Sequence, residues 1–366
     1  MTSCQNENFS PQKKLAIRLL VLTGVLALGG CSTVGYYSQA VTGHLKLMSA
    51  RQSIQKLLVA DDTDPELRAK LQTLVDARQY AVSALGLPDN DSYNTYVETG
   101  KRAITWNVVA TEEFSLIPNT WCFPVAGCVN YRGYFDRLDA EEFASSLAEK
   151  SHDITIGGAS AYSTLGWFDD PVFDTMLRGD DLRYVGTLFH ELAHQVLYVK
   201  DDSNFNEAFA SFVEQIGVRR WLEDQQQAGR IEGYDASLGR AGEFVELLKQ
   251  TRETLLELYK QPLSDTEKRE RKQLVFDEMR EKYEALKASW GDYKGYDGWF
   301  RRELNNARLI AVATYRRYVP AFHVIYNEVD GNLQRFYTLA EQISALPAEK
   351  RQATMAKYLE TAAANK

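Results

Sequence analysis

The chain has 366 residues, 45% of them hydrophobic, which is enough to bury one large core or two modest ones and excludes a disordered or fibrous protein. Acidic residues outnumber basic ones by 50 to 42, for a formal charge of −8, and no basic stripe interleaved with aromatics runs along the sequence. Nucleic acid is not an expected partner.

The first thirty residues read differently from the rest. Lys13, Lys14 and Arg18 precede an apolar run, Leu19 to Leu28, that is too short for a stable membrane span. The run closes on Leu28-Gly29-Gly30-Cys31, which resembles a bacterial lipobox. The resemblance implies removal of residues 1–30 as a signal peptide, acylation of the Cys31 thiol, and a mature chain 31–366 held at the membrane by lipid. Ser32 stands where an aspartate would signal inner-membrane retention in enterobacteria, so the expected location is the outer membrane, facing the periplasm. A plain secretory signal and an uncleaved anchor are the competing readings. Of the four cysteines, Cys4 would leave with the signal peptide and Cys31 would carry lipid. Cys122 and Cys128, in WCFPVAGCVNYRGYF, are then expected to form a disulfide, with Pro124 and Gly127 supplying the turn. A zinc knuckle is the rival, and two cysteines without nearby histidines fall short of four ligands.

In chain order, Tyr36 to Val59 carries apolar residues at helical spacing, among them Leu45, Met48, Ile54, Leu57 and Leu58. Asp64-Pro65 caps a second helix that should run to about Leu85, before Gly86 and Pro88. Residues 104–135, rich in Trp, Phe, Val and Tyr and broken by prolines and glycines, predict loops and short strands. Glu141 to Ser151 predicts a helix, and DITIGGASAYSTLGWF one or two strands ending at Asp169-Asp170-Pro171. Beyond that the pattern is helical almost to the end. A capping box, Ser264 with Glu267, opens a charged helix whose stripe of Leu274, Met279, Tyr283 and Leu286 should pack on the domain. The expected fold is α+β, mostly helical, as a single domain with a helical C-terminal part from about residue 230.

The chemistry-bearing stretch is GTLFHELAHQVLYVK. His190 and His194 lie one helical turn apart on one face, so both imidazoles can reach one ion. Glu191 then projects beside that ion, as a general base for water attack requires. Val185, Leu188, Phe189, Leu192, Ala193, Val196 and Leu197 make the helix apolar almost all round, and burying three polar residues there without partners would cost several kcal/mol. A catalytic zinc needs a third protein ligand and one open position. Asn206-Glu207 opens the next helix, NEAFASFVEQIG, one short loop later, and Glu207 is the expected third ligand. The bland alternative is a surface pair of histidines with Glu191 in a salt bridge, which the apolar surroundings oppose.

HELAH followed by NEAFA resembles the gluzincins, zinc peptidases whose third ligand is the glutamate of a downstream N-E motif. More narrowly, the lipobox, TWCFPVAGCVNYRGYF, AYSTLGWFDDPV, HELAHQ, NEAFA, NNARL and TYRRYVPAF resemble the bacterial "putative aminopeptidase" lipoprotein family over nearly the whole mature chain. The resemblance implies a zincin-like core, one zinc ion on His190, His194 and Glu207, and Glu191 as base. The interval from His194 to Glu207 is shorter than in the best-known gluzincins, and no G-x-M-x-N exopeptidase motif is present. In zincins an edge strand before the metal helix pairs with substrate, a role ITIGGASAYSTLGWF could fill.

Tyr131, Arg132, Tyr315 and His323 are candidates to stabilise an oxyanion, and Glu113, Asp169 and Asp170 to bind a substrate amine. His44, His152 and His323 are expected to be core or surface residues rather than ligands. The resulting expectation is a lipid-anchored zinc peptidase acting on peptides. A binding-only, chaperone-like envelope protein and a cell-wall peptide hydrolase are the alternatives.

Overall fold

The structure is a computed structural model that describes residues 34–123, 127–161, 168–313 and 317–364. Cys31 and the segment before it, Pro124 and Tyr315 lie outside the described residues. Two units separate between Ala50 and Arg51. The described part of the first is a helix, α1, over residues 34–49.

In the second unit the helical pattern expected to continue from α1 is interrupted. Gln52–Ser53 (β1) pairs with Thr95–Val97 (β2), so the backbone must extend there before Ile54–Val59 (α2) resumes the helix. Pro65–Ser83 (α3) follows, with the Asp64 carboxylate accepting from Leu67 N at 2.9 Å and Pro65 in the first turn, as the sequence pattern predicts. The aromatic region then forms Thr105–Glu112 (β3), Trp121–Phe123 (β4), Gly127–Val129 (β5) and Arg132–Tyr134 (β6). Arg137–Ala148 (α4), His152–Ala159 (β7) and Val172–Phe173 (β8) complete the strand-bearing half.

Among the described residues three small sheets result, in the orders β1-β2-β8, β6-β3-β7 and β4-β5. In the second, β3 and β7 run antiparallel from Thr105 opposite Ala159 to Glu112 opposite His152. β7 is an edge strand, but its outer edge is already engaged. The Asn305 amide donates to the Ile154 carbonyl at 2.9 Å and the Arg302 guanidinium to the Ile156 carbonyl at 3.4 Å.

The remaining elements are helices: Asp181–Val196 (α5), Ser203–Asp224 (α6), Ile231–Tyr259 (α7), Asp265–Ser289 (α8), Asp297–Phe300 (α9), Asn306–Ala313 (α10), Val319–Glu328 (α11), Leu333–Ser344 (α12) and Ala348–Ala364 (α13). α5 and α6 form an antiparallel pair against α3. On its far side α6 packs Phe205, Phe209 and Phe212 against Phe322 of α11 and Phe336 of α12. A second apolar cluster joins α7, α8, α9 and α10 through Phe244, Leu248, Phe276, Tyr283, Phe300 and Leu309.

The capping box at Ser264 and Glu267 is present. One residue of the expected α8 stripe is misplaced: Leu274 is 66% exposed. The buried face runs Lys272, Phe276, Met279, Tyr283, alternating four and three residues, and Leu274 falls on the opposite side of that helix. Lys272 can be buried because its ammonium reaches the Asp153 carboxylate at 2.6 Å and the Glu113 carbonyl at 2.8 Å.

Candidate metal centre

α5 begins at Asp180, whose carboxylate caps Arg183 N at 2.9 Å, and then buries Tyr184, Val185, Leu188, Phe189, Leu192 and Ala193. His190 and His194 emerge one turn apart towards α6, with ring centroids 4.9 Å apart. Two glycines let the helices approach. A Cβ on Gly217 of α6 would stand 2.8 Å from the Phe189 ring, and one on Gly186 of α5 would stand 3.2 Å from the Glu214 side chain.

The loop 197–202 between the helices sets where Glu207 falls, and several groups hold it. The Asn206 amide clamps Val199, accepting from its N–H at 2.7 Å and donating to its carbonyl at 2.8 Å. Asp202 caps α6 through Phe205 N and takes a 2.7 Å bond from the buried Arg351. Asp201, in the left-handed region with φ 65°, accepts from Cys128 N at 2.6 Å. Cys128 belongs to the β4–β5 hairpin, where it is disulfide-bonded to Cys122. The disulfide expected from the cysteine count is therefore present, and the hairpin it closes grips the loop between the two helices.

With the loop so held, Glu207 lies 3.3 Å from His190 Nε2 through Oε2 and 3.7 Å from His194 Nε2 through Oε1. One donor atom from each of the three residues fits within a 4.8 Å span, and among the described residues no other group of His, Cys, Asp or Glu side chains does the same. Two ligand atoms at zinc distance and tetrahedral angle would lie about 3.3 Å apart, near the 3.3 and 3.7 Å that separate Glu207 from the two imidazoles. Behind it, His190 Nδ1 meets Glu214 Oε2 at 3.2 Å. Glu214 is two helical turns beyond Glu207 on the same face of α6, a spacing that could have suggested it. Nothing in the local sequence announced its partner. His194 Nδ1 is buried and faces no acceptor among the described residues.

The electrostatics ask for positive charge at the centre. Burial opposes a proton on His190, yet the carboxylates of Glu207 and Glu214 at its two nitrogens raise its pKa to about 10. Burial, with the adjacent His190 charge, lowers His194 to about 4. Burial would raise Glu207, but the hydrogen bond from His190 and the two imidazoles hold it below the usual carboxylate range. A metal cation can take the place of the His190 proton, which is the exchange that metal binding to such a set involves. Burial also pushes Glu191 up to about 7, with His190 pulling it down and Glu207, Asp170 and Glu214 adding to the rise.

A family model described as "Putative aminopeptidase" matches residues 35–355. The chain belongs to this family. No curated protein and no solved structure matches it. The span covered by the aminopeptidase family reaches from α1 into α13 and includes both HELAH and NEAFA.

The other candidates fall in different surroundings. His323 packs edge-on to Phe212 at 4.9 Å and meets the Gln215 amide at 3.2 Å, so it serves the α6–α11 interface. Arg132 lies over the Phe143 ring at 4.5 Å, and Tyr131 is half-buried beside it in the chain. Glu113 is held by Arg269. Asp169 is exposed, whereas Asp170 is fully buried and close enough to Glu191 to raise its pKa. His152 rests on the Lys150 carbonyl at 3.2 Å, and His44 lies on α1.

Proposed function

We propose that this chain is a zinc-dependent peptidase in which His190, His194 and Glu207 hold the ion and Glu191 is the general base. The observation that carries the reading is the meeting of three donor side chains within a 4.8 Å span, directly beside the half-buried Glu191, whose pKa is raised to about 7. Zinc bound there would supply a Lewis acid for the scissile carbonyl and for water. Glu191 accepts a proton from the attacking water and returns it to the leaving amine. Glu214 holds the His190 ring in the orientation that points Nε2 towards Glu207. The family name supports peptides as substrates and attack at their amino end. The zincin-like description of the core rests on the HELAH and NEAFA helices and their antiparallel pairing.

Within the same proposal, Cys31 carries acyl chains and the enzyme works at the outer membrane on the periplasmic side, a reading supported by Leu28-Gly29-Gly30-Cys31 and Ser32. Cys31→Ser should leave the protein without acyl mass, and normally acylated Cys31→Ser protein would refute it.

Two substitutions test the chemistry. Glu191→Gln should retain about one equivalent of zinc while peptide turnover falls roughly 10²–10⁴-fold, since the proton acceptor is gone and the ligands remain. Glu207→Ala should lose zinc affinity and activity together. Zinc content by metal analysis and hydrolysis of a mixed peptide library by mass spectrometry read both. Full turnover by Glu191→Gln would sink the mechanism, and no turnover by the zinc-loaded native protein would favour a binding-only role.

A further inference from the structure

α1 leaves an apolar stripe in water. Val34 is 68% exposed, Tyr37 39%, Val41 58% and Leu45 60%. Spaced three, four and four residues apart, they share one face of the helix. The stripe rises about 16 Å along the axis at the usual 1.5 Å per residue. The other large apolar side chains exposed in the described residues are scattered singly through the remaining elements, which needs no explanation.

Charge separates this region from the rest of the chain. The protein carries a formal charge of −8, yet from Cys31 to Ala50 there is no acidic residue, while Lys46 is basic. That segment is suited to an anionic surface. Tyr36 and Tyr37 stand in the first turn of α1, and such amphipathic rings favour the boundary between headgroups and acyl chains.

Tether length decides what the stripe can meet. Only Ser32 and Thr33 separate Cys31 from the first described helical residue. A fully extended chain spans at most about 3.6 Å per residue, so α1 must start within roughly 11 Å of an acylated Cys31. That exceeds the roughly 5–7 Å depth of one headgroup layer by only a few Å. Two residues are too few to carry the helix far from the lipid.

We infer that α1 lies in the plane of the bilayer that receives the acyl chains of Cys31, with Val34, Tyr37, Val41 and Leu45 sunk between headgroups and upper acyl chains. The helix is a second membrane contact beside the lipid, and one that fixes the start of the folded chain at the surface. The inference rests on the lipid-anchor reading given above.

The test uses full-length, processed protein in vesicles of phosphatidylethanolamine and phosphatidylglycerol. A polarity-sensitive fluorophore is placed on Val41→Cys, or on Leu274→Cys, an exposed site on α8, as reference. The native thiols are occupied when Cys31 is acylated, since Cys122 and Cys128 are bonded to each other. At Val41→Cys the expected result is a blue-shifted emission, loss of quenching by aqueous iodide and gain of quenching by doxyl-labelled lipid, with none of these at Leu274→Cys. An acylated, vesicle-bound protein whose Val41→Cys probe is as open to iodide as the reference overturns the inference and leaves the anchor standing. Absence of acyl mass on Cys31 overturns both.

Discussion

Glu214 shows how a single carboxylate behind a proposed ligand shapes the site. Its Oε2 sits 3.2 Å from His190 Nδ1, fixing the ring so that Nε2 faces Glu207. Carboxylates in this position orient ligating histidines and raise their basicity. Glu214→Gln keeps the volume and an accepting oxygen but removes the charge, so zinc affinity should fall roughly 10–100-fold without loss of fold. Competition with a fluorescent chelator measures the affinity, and circular dichroism checks the fold. An unchanged affinity would reduce Glu214 to packing against Gly186. Gly217 is as sensitive for a steric reason, because a Cβ there would stand 2.8 Å from Phe189 and 2.9 Å from Leu85. Gly217→Ala should cost about 1–3 kcal/mol, read from urea denaturation midpoints, as overpacking of a tight core does.

At the level of elements, the β4–β5 hairpin and the loop 197–202 act together. The hairpin contributes Cys128 N to Asp201, and the absence of a side chain at Gly127 makes room, since a Cβ there would collide with Asp201 and Lys200. Asn206 and Asp202 hold the same loop from the α6 side. Opening the Cys122–Cys128 bond should free the hairpin and loosen the loop, and Glu207 should then hold the proposed ion less firmly. Zinc release to excess chelator is then expected to be faster with a thiol reductant than without, and Asp201→Ala should speed release even in oxidised protein. Equal rates in all cases would mean that Asn206 and Asp202 hold the loop unaided. The expected substrate-pairing role of β7 meets a physical obstacle at this scale, because Asn305 and Arg302 already occupy the outward carbonyls of Ile154 and Ile156.

Across the second unit, a polar junction ties the strand-bearing half to the C-terminal helices. Asp153 of β7 accepts from Lys272 of α8 and from Asn306 N of α10, while the Glu113 carbonyl accepts from Lys272 and from the Asn306 amide. The Glu113 carboxylate takes two bonds from Arg269. That guanidinium, against the opposing effect of burial, lowers the Glu113 pKa. A carboxyl depressed in the folded state adds stability that is present above its unfolded pKa of about 4.3 and is lost as pH falls through the folded value. Glu113→Gln should therefore unfold at lower urea than the native protein at pH 7, and the gap should close below about pH 4. Salt should shrink it as well, because the Arg269 side chain is 53% exposed. A gap that is independent of pH would assign Glu113 a packing role.

Much of this protein was determined by sequence alone wherever the distance between cooperating residues is set by one element's own repeat. His190 and His194 share a face because a helix turns every 3.6 residues, and Asp64 and Ser264 cap their helices by bonds that close within three residues. The pairing of Cys122 with Cys128 was expected once Cys4 is assigned to a signal peptide and Cys31 to lipid, and the placement of Glu207 was open to a reading of its motif. Tertiary structure alone decided the rest: that Glu214 stands behind His190, that Asp201 is gripped by the hairpin, that Arg269 takes up Glu113, and that Leu274 faces water while Lys272 is buried. These meetings join residues on different elements, and their distances depend on loop conformations and core packing that no local repeat encodes.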